Sequence, residues 1–464
     1  MVRRVAAVAF AALVAAGGAS AALLAATPVA VSPTTTTVTT SSAATTLVVT
    51  GHGFGHGMGM GQWGAYGYAL HGWTSARILA HYFPETSLGR DTSPLVRVLL
   101  ADAVPSVLLG SAAPWHVVDG AGTRLALPAG PLTVPASLRL EGNKLVSPLT
   151  FEPGRSPVEA AGLPYRGKLV LASDGKAVQL INLVALESYL PGVVSEEMPS
   201  TWPNAALQAQ AIAARSYALA QVRSVPASSP FDLYADSRSQ AYGGINAETP
   251  AVTKAVTGTR NLVVLFHGKV ATTYFSASSG GETMSAAEAT GTSVPYLVAV
   301  PDPYDTLSPY HDWGPVLLSA ADAAKALGLR GVLDDLVTTL DPTGRVASAT
   351  TVSNGSTVTL TGMQVRDDLG LRSSWFDIGF LSLAPVRAPV TPNTPVALGG
   401  IVRGLTGVSL EAQAADGTWT TAGTVAPAAD GSFTFTVTPK ATTSYRLATG
   451  DVRGALIKVR VRPA

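Results

Sequence analysis

Val193-Val194-Ser195-Glu196-Glu197-Met198-Pro199 leads, through Ser200 and Thr201, into Trp202-Pro203-Asn204-Ala205-Ala206-Leu207-Gln208-Ala209-Gln210-Ala211-Ile212-Ala213-Ala214-Arg215-Ser216-Tyr217-Ala218-Leu219. An acid-bearing bend thus feeds an alanine-dominated helix. Pro199 pushes Met198 toward extended geometry. Pro203 has its φ preset for a first helical turn and needs no N–H there. The Glu197 carboxyl is therefore expected in a rigid bend just ahead of the helix, and a general acid needs that rigidity. Alanine is the best helix former but buries little area, so this run predicts other backbone close by on more than one side. Gln208, Ile212, Arg215 and Leu219 share one stripe, and Gln210, Ala214, Tyr217 and Gln221 share the next. A buried arginine needs a partner. A structural ion pair with Glu187 is one reading of Arg215, and a place in a ligand cleft is the other.

The second unusual stretch is Gly51-His52-Gly53-Phe54-Gly55-His56-Gly57-Met58-Gly59-Met60-Gly61-Gln62-Trp63-Gly64-Ala65, with glycine at every odd position to Gly61. Read as a strand, it has one bare face and one face carrying His52, Phe54, His56, Met58, Met60 and Gln62. Glycine weakens a strand and marks close approach by a ligand or another segment. No Gly-Lys-Ser/Thr follows, and the spacing is not a dinucleotide fingerprint. The glycines also argue against the helix that a zincin-type pair of His52 and His56 would need.

Further segments join these two: Leu186-Glu187-Ser188-Tyr189-Leu190-Pro191-Gly192, Ser237-Arg238-Ser239-Gln240-Ala241-Tyr242-Gly243-Gly244, Tyr274-Phe275-Ser276-Ala277-Ser278-Ser279-Gly280-Gly281-Glu282-Thr283 and Leu369-Gly370-Leu371-Arg372-Ser373-Ser374-Trp375-Phe376. Together they resemble the stage II sporulation protein D / amidase-enhancer family over roughly residues 47–382. In that family the Gly-His-Gly motif normally follows the Leu-Gly-Leu-Arg segment. Here it comes first, as in a circular permutation, which requires ends that lie close together. Phe380 should then end near where Leu47 begins.

The resemblance implies a secreted peptidoglycan lytic transglycosylase. Such an enzyme cleaves between N-acetylmuramic acid and N-acetylglucosamine and leaves 1,6-anhydro ends. Glu197 matches the family's catalytic position. Glu196 is expected to face elsewhere, its like charge raising the Glu197 pKa. Arg215, Gln210, Tyr217, Tyr242, Ser276, Ser278, Ser279, His56 and Gln62 are the candidates to line the glycan cleft, each with an internal hydrogen bond as the alternative. His56 and Gln62 are expected to face the same groove as Glu197. Two other readings stay open. One is a non-catalytic wall protein that enhances a partner amidase. The other is a hydrolase using water and a second carboxylate such as Asp236. The expected partners are peptidoglycan glycan strands and, on the second reading, a cell-wall amidase.

Composition agrees with export. The chain has 464 residues, no cysteine, and 31 Lys+Arg against 30 Asp+Glu. A net charge of +1 offers no field for nucleic acid. Without cysteine there is no disulfide and no counterpart of the cysteine-containing metal site of some relatives, so neither zinc nor any cofactor is expected. Residues 1–30 read as a secretory signal peptide, and an uncleaved anchor there would be the one link to a membrane. Residues 31–46 read as a Ser/Thr-rich linker.

The expected fold class is α+β: a strand-rich catalytic domain at 47–383 with the alanine-rich active-site helix. A Pro-rich linker at 384–395 follows. Residues 396–464 then read as an all-β immunoglobulin-like sandwich that folds independently, with Asp416-Gly417 and Asp430-Gly431 as hairpin turns. Its basic edge of Arg446, Arg453, Lys458, Arg460 and Arg462 is either a solvated face or a contact for anionic wall polymers.

Overall fold

The computed structural model describes residues 44–462 except 93 and 141, so the expected signal peptide and residues 31–43 of the linker lie outside the described residues. The fold is mixed helix and strand, as expected for an α+β chain. It divides into two compact units: His52–Asp312, and the flanking chain up to Gly51 and from Trp313 onward. Among the described residues no helix is long and apolar enough to cross a membrane.

The His52–Asp312 unit holds five helices that matter here. These are α1 (Gln62–Leu70), α2 (Ser75–Tyr82), α3 (Leu186–Glu197), α4 (Asn204–Ser224) and α5 (Pro250–Gly258). Thr74 caps α2 by accepting the Arg77 N–H, as a threonine at that position should. A seven-stranded sheet runs Leu233–Tyr234, Leu95–Val104, Val178–Ala185, Lys168–Ser173, Leu149–Glu152, Trp115–Val118, Arg124–Leu127. Asp174 and Gly175 turn the hairpin between Lys168–Ser173 and Val178–Ala185. The second of these strands passes directly into α3.

Helix α4 is buried around most of its girth. Ala206, Ala209, Ala211, Ala213, Ala214 and Ala218 have no exposed surface. It packs against α1, α2, α3, α5 and the strand Leu262–Phe266. Methyl side chains let that many neighbours approach one helix. A helix enclosed on all sides needs no polar face, and α4 is not amphipathic.

The other unit is built on Ala44–His52 paired antiparallel with Phe376–Leu383, Leu47 standing directly opposite Phe380. That is the closeness of ends a permuted chain requires. Both strands alternate between two cores. Leu47, Val49, Phe376 and Phe380 join the cluster of Trp313, Leu333 and Val365. Val48, Leu381 and Leu383 join that of Leu398, Leu410, Phe433 and Leu447. The central sheet is therefore apolar on both faces.

This corrects the domain division. Phe376–Leu383 pairs with Val396–Arg403, across the proline-rich stretch expected to separate two modules. Val396–Arg403 in turn pairs with Ser432–Val437. Among the described residues, two strands of the 396–464 region extend the central sheet and five build the opposing one. The region is thus half of a shared sandwich rather than a separate one. Asp416-Gly417 does turn a hairpin, from Ser409–Gln413 to Trp419–Thr424. Asp430-Gly431 does not, because the strands on either side of it belong to different sheets.

A chain ended after Pro392 is expected to melt lower than the full chain. It would uncover Val48, Leu381 and Leu383, each now at most 3% exposed, at about 1.5–3 kcal/mol per side chain. Calorimetry on both chains checks this, and an unchanged transition would restore the independent-module reading.

Candidate active site

Glu197 is the last residue of α3. The sequence reading placed it in a bend ahead of the next helix; the bend instead begins one residue later. Met198 is extended, with φ −134° and ψ 141°, because Pro199 forbids it a helical conformation. Pro203 caps α4 rather than starting it, with ψ 141° and the first helical residue at Asn204.

The Glu197 carboxylate has two donors. Gln62 Nε2 donates to Oε2 at 3.0 Å, and the Ala241 backbone N–H donates to Oε1 at 3.2 Å. Ala241 is held by its neighbours. Tyr189 on α3 donates to Gln240 Oε1, Gln240 Nε2 donates to Ala214 O on α4, and the Gly243 N–H donates to Gly192 O. The loop is thereby clamped across both helices. Burial raises the Glu197 pKa above the ordinary carboxylate value, and the charge of Glu196 adds to the rise. The two hydrogen bonds oppose it without cancelling it. Glu196 itself is exposed, as expected.

Between Gly53 and Gly59 the glycine ladder is not a strand. Gly53, Gly55, Gly57 and Gly59 take φ of 77°, 111°, 77° and 68°, so the chain coils at each of them. The expectation of close backbone approach holds. A Cβ on Gly59 would meet Tyr274 O at 2.1 Å. Met60–Gly61 then pairs parallel with Phe275–Ser276, and Trp63 N–H donates to Ala277 O at 3.0 Å. Gln62 therefore opens α1 with its side chain carried to Glu197. It is 5% exposed.

The serines that were expected in the cleft hold this loop instead. Ser278 Oγ donates to both Asp305 oxygens at 2.9 and 2.8 Å. The Ser279 and Gly280 N–H groups also donate to Asp305, each at 2.9 Å. Ser279 Oγ donates to Asp302 Oδ2 at 2.8 Å. Ser276 lies in the short paired strand and is nearly buried. Asp302 and Asp305 were not singled out from the sequence. They sit in a short 3₁₀ turn with no motif, and only the fold brings them to the serines. Burial, and after it the Asp305 charge, pushes the Asp302 carboxyl up to about 7.

The remaining candidates disperse. Arg215 is wholly enclosed, with 0% exposure. Its Nε and Nη2 donate to Glu187 Oε1 and Oε2 at 2.8 and 3.0 Å, and Nη1 donates to Leu262 O at 3.1 Å. The structural reading of Arg215 holds, and the cleft reading is corrected: no guanidinium surface is left for a ligand. Tyr242 donates to Asn182 Oδ1 at 2.9 Å and packs on Tyr189. Tyr217 and Gln210 are buried within α4. His56 accepts the Met58 N–H at 3.0 Å, and its ring lies 5.8 Å from Tyr274. Gln62 is thus the candidate seen to reach Glu197. Asp236 is exposed and clasped by Arg238, which holds its pKa below the ordinary value. Among the described residues no group of three or more His, Asp or Glu side chains is placed to hold a metal ion.

Residues 174–266, which include α3 and α4, match the family model described as Stage II sporulation protein. Stage II sporulation protein D of Bacillus subtilis (strain 168) is 30% identical over 218 residues, 43% of this chain and 62% of its own length. The amidase enhancer of the same organism is 37% identical over 117 residues, 25% of this chain and 15% of its own. An uncharacterized protein of Brachyspira hyodysenteriae is 38% identical over 139 residues, 30% of this chain and 38% of its own. The chain spans less than two thirds of each of these relatives.

The buried acid gives a test of the loop's anchorage. Asp302 has a folded pKa of about 7, raised above its unfolded value. Its contribution to stability is therefore full in acid and is lost as pH rises through about 7. The thermal midpoint is expected to fall across that range, and Asp302→Asn should flatten the fall. An identical slope in the variant would count against the assignment.

Proposed function

We propose that this chain, which matches the Stage II sporulation protein family model at residues 174–266, is a peptidoglycan lytic transglycosylase with Glu197 as its single acid and base. The observation that carries the reading is the state of that carboxyl. It is half-buried, aimed by Gln62 and the Ala241 N–H, and raised in pKa by burial. A carboxylic acid that keeps its proton nearer neutrality is suited to protonating a leaving oxygen.

One such group suffices for an intramolecular reaction. Glu197 gives its proton to the glycosidic oxygen, and the bond from the muramic C1 to that oxygen breaks. The C6 hydroxyl of the same muramic residue then forms a bond to C1. Its proton passes to the Glu197 carboxylate, which is ready for the next cycle. No water enters, and the product is a 1,6-anhydro ring. A hydrolase would need a second carboxylate to activate water. Asp236, held by Arg238 at a lowered pKa, is a poor base for that task.

The relative that bears the name amidase enhancer supports a second reading, in which the same cleft holds glycan for a partner amidase. On either reading the chain acts on the cell wall outside the membrane.

Glu197→Gln keeps the shape and removes the proton donor. Turnover of purified glycan strands is expected to fall by at least ~10²-fold with the melting temperature retained. Mass spectrometry should find anhydro ends with the parent chain. Reducing ends would point to hydrolysis, and no new ends would point to the amidase reading. Gln62→Leu removes a hydrogen bond that favours the charged form, so the Glu197 pKa should rise further. The alkaline limb of the kcat/KM profile should then move to higher pH, and a limb that stays in place would separate Gln62 from the chemistry.

A further inference from the structure

Three aromatic rings without a part in the chemistry are carried by the two segments that adjoin the Glu197–Gln62 pair. Trp63 follows Gln62, whose amide reaches the Glu197 carboxylate. Tyr66 lies one turn further along α1, on the same side as Trp63. Trp202 sits in the turn between Glu197 and α4, its N–H donating to Pro199 O at 3.0 Å. The rings meet one another. Centroids are 4.9 Å apart for Trp63 and Trp202, 4.7 Å for Tyr66 and Trp202, and 5.6 Å for Trp63 and Tyr66. Tyr66 and Trp202 are tilted by 33°, and Trp63 stands at 85° to Tyr66 and 63° to Trp202.

None of the three is buried, although the same unit fully encloses Trp115, Tyr82, Phe83 and Tyr189. Three large rings held together and left half-open mark a surface made to be covered. Both of its anchoring points are the segments that position Glu197.

We propose that Trp63, Tyr66 and Trp202 form a sugar-stacking subsite that takes the apolar face of an uncharged N-acetylhexosamine ring adjoining the bond held at Glu197. The proposal rests on the reading of Glu197 as the catalytic acid and deepens it by assigning the part of the strand that is gripped. A pyranose presents a face of C–H groups to an aromatic ring and its hydroxyls to water at the rim. Such rings bury large area at low cost in side-chain entropy. Stem peptides need not be recognised there.

The test uses the full chain carrying Glu197→Gln, so that binding is read without turnover. The probe is peptide-free glycan strand, titrated calorimetrically. Adding Trp202→Ala or Tyr66→Ala is expected to weaken binding about tenfold, and Trp202→Phe to restore most of the loss. In the otherwise active chain the same changes should raise KM, with kcat little altered. Affinity within about twofold of the parent for both alanine variants, at unchanged melting temperature, would overturn the subsite. So would a fall in kcat at constant KM. If Trp202→Ala does not fold, Tyr66→Ala and Trp202→Phe decide the matter. The two readings fail separately: retained cleavage by Glu197→Gln removes the acid assignment, whereas undiminished binding by the ring variants removes the subsite alone.

Discussion

Arg215 sets the constraint around which the His52–Asp312 unit is arranged. A guanidinium with no solvent access must have its donors met by protein, and here Glu187 takes two of them in a fork while main-chain carbonyls take others. Those partners lie at the start of α3, in α5 and at the head of Leu262–Phe266. One side chain on α4 therefore fixes three neighbours in register. Removing one member of such a buried pair costs roughly 3–5 kcal/mol, because the other charge is left stranded. With the start of α3 fixed at Glu187, its far end, and hence Glu197, has little freedom. The arginine acts on the site through position, not contact.

A second buried network delivers the other half of the site. Asp305 gathers Ser278, Ser279 and Gly280, and these residues lie against the coiled glycine loop. The left-handed glycines let backbone approach backbone where a Cβ would collide. The loop then starts α1 with Gln62 pointed at Glu197. A weak fold element, the glycine loop, is thus stiffened by buried carboxylates, and Asp302 is left with a pKa near 7 by that crowding. Serines that could have served a ligand serve the scaffold.

The chemistry proposed for the site follows from what is missing around Glu197 as well as from what is there. Its chain neighbour Glu196 points to solvent, and Asp236 is neutralised by Arg238. A half-buried acid with two donors suits a reaction in which the substrate supplies its own nucleophile.

Much of this was legible in the sequence. Pro199 after Met198 fixes an extended residue behind the acid, and the alanine run fixes a helix crowded on several sides. Each is a local rule acting through backbone geometry, and each held. Glycine at alternate positions announced close approach, but its φ could not be read from spacing alone; period two suggested a strand where four residues turn left-handed. Register between Leu47 and Phe380 agreed with the order of motifs. What only the tertiary structure decided was which polar groups meet. Arg215 found Glu187, the serines found Asp302 and Asp305, and Gln62 found Glu197 across 135 positions of sequence. The proline-rich stretch looked like a boundary, yet strands on both sides of it share a sheet. Local sequence sets dihedral angles and faces. Pairing between distant polar groups and distant strands depends on which surfaces burial brings together, and no local pattern encodes that.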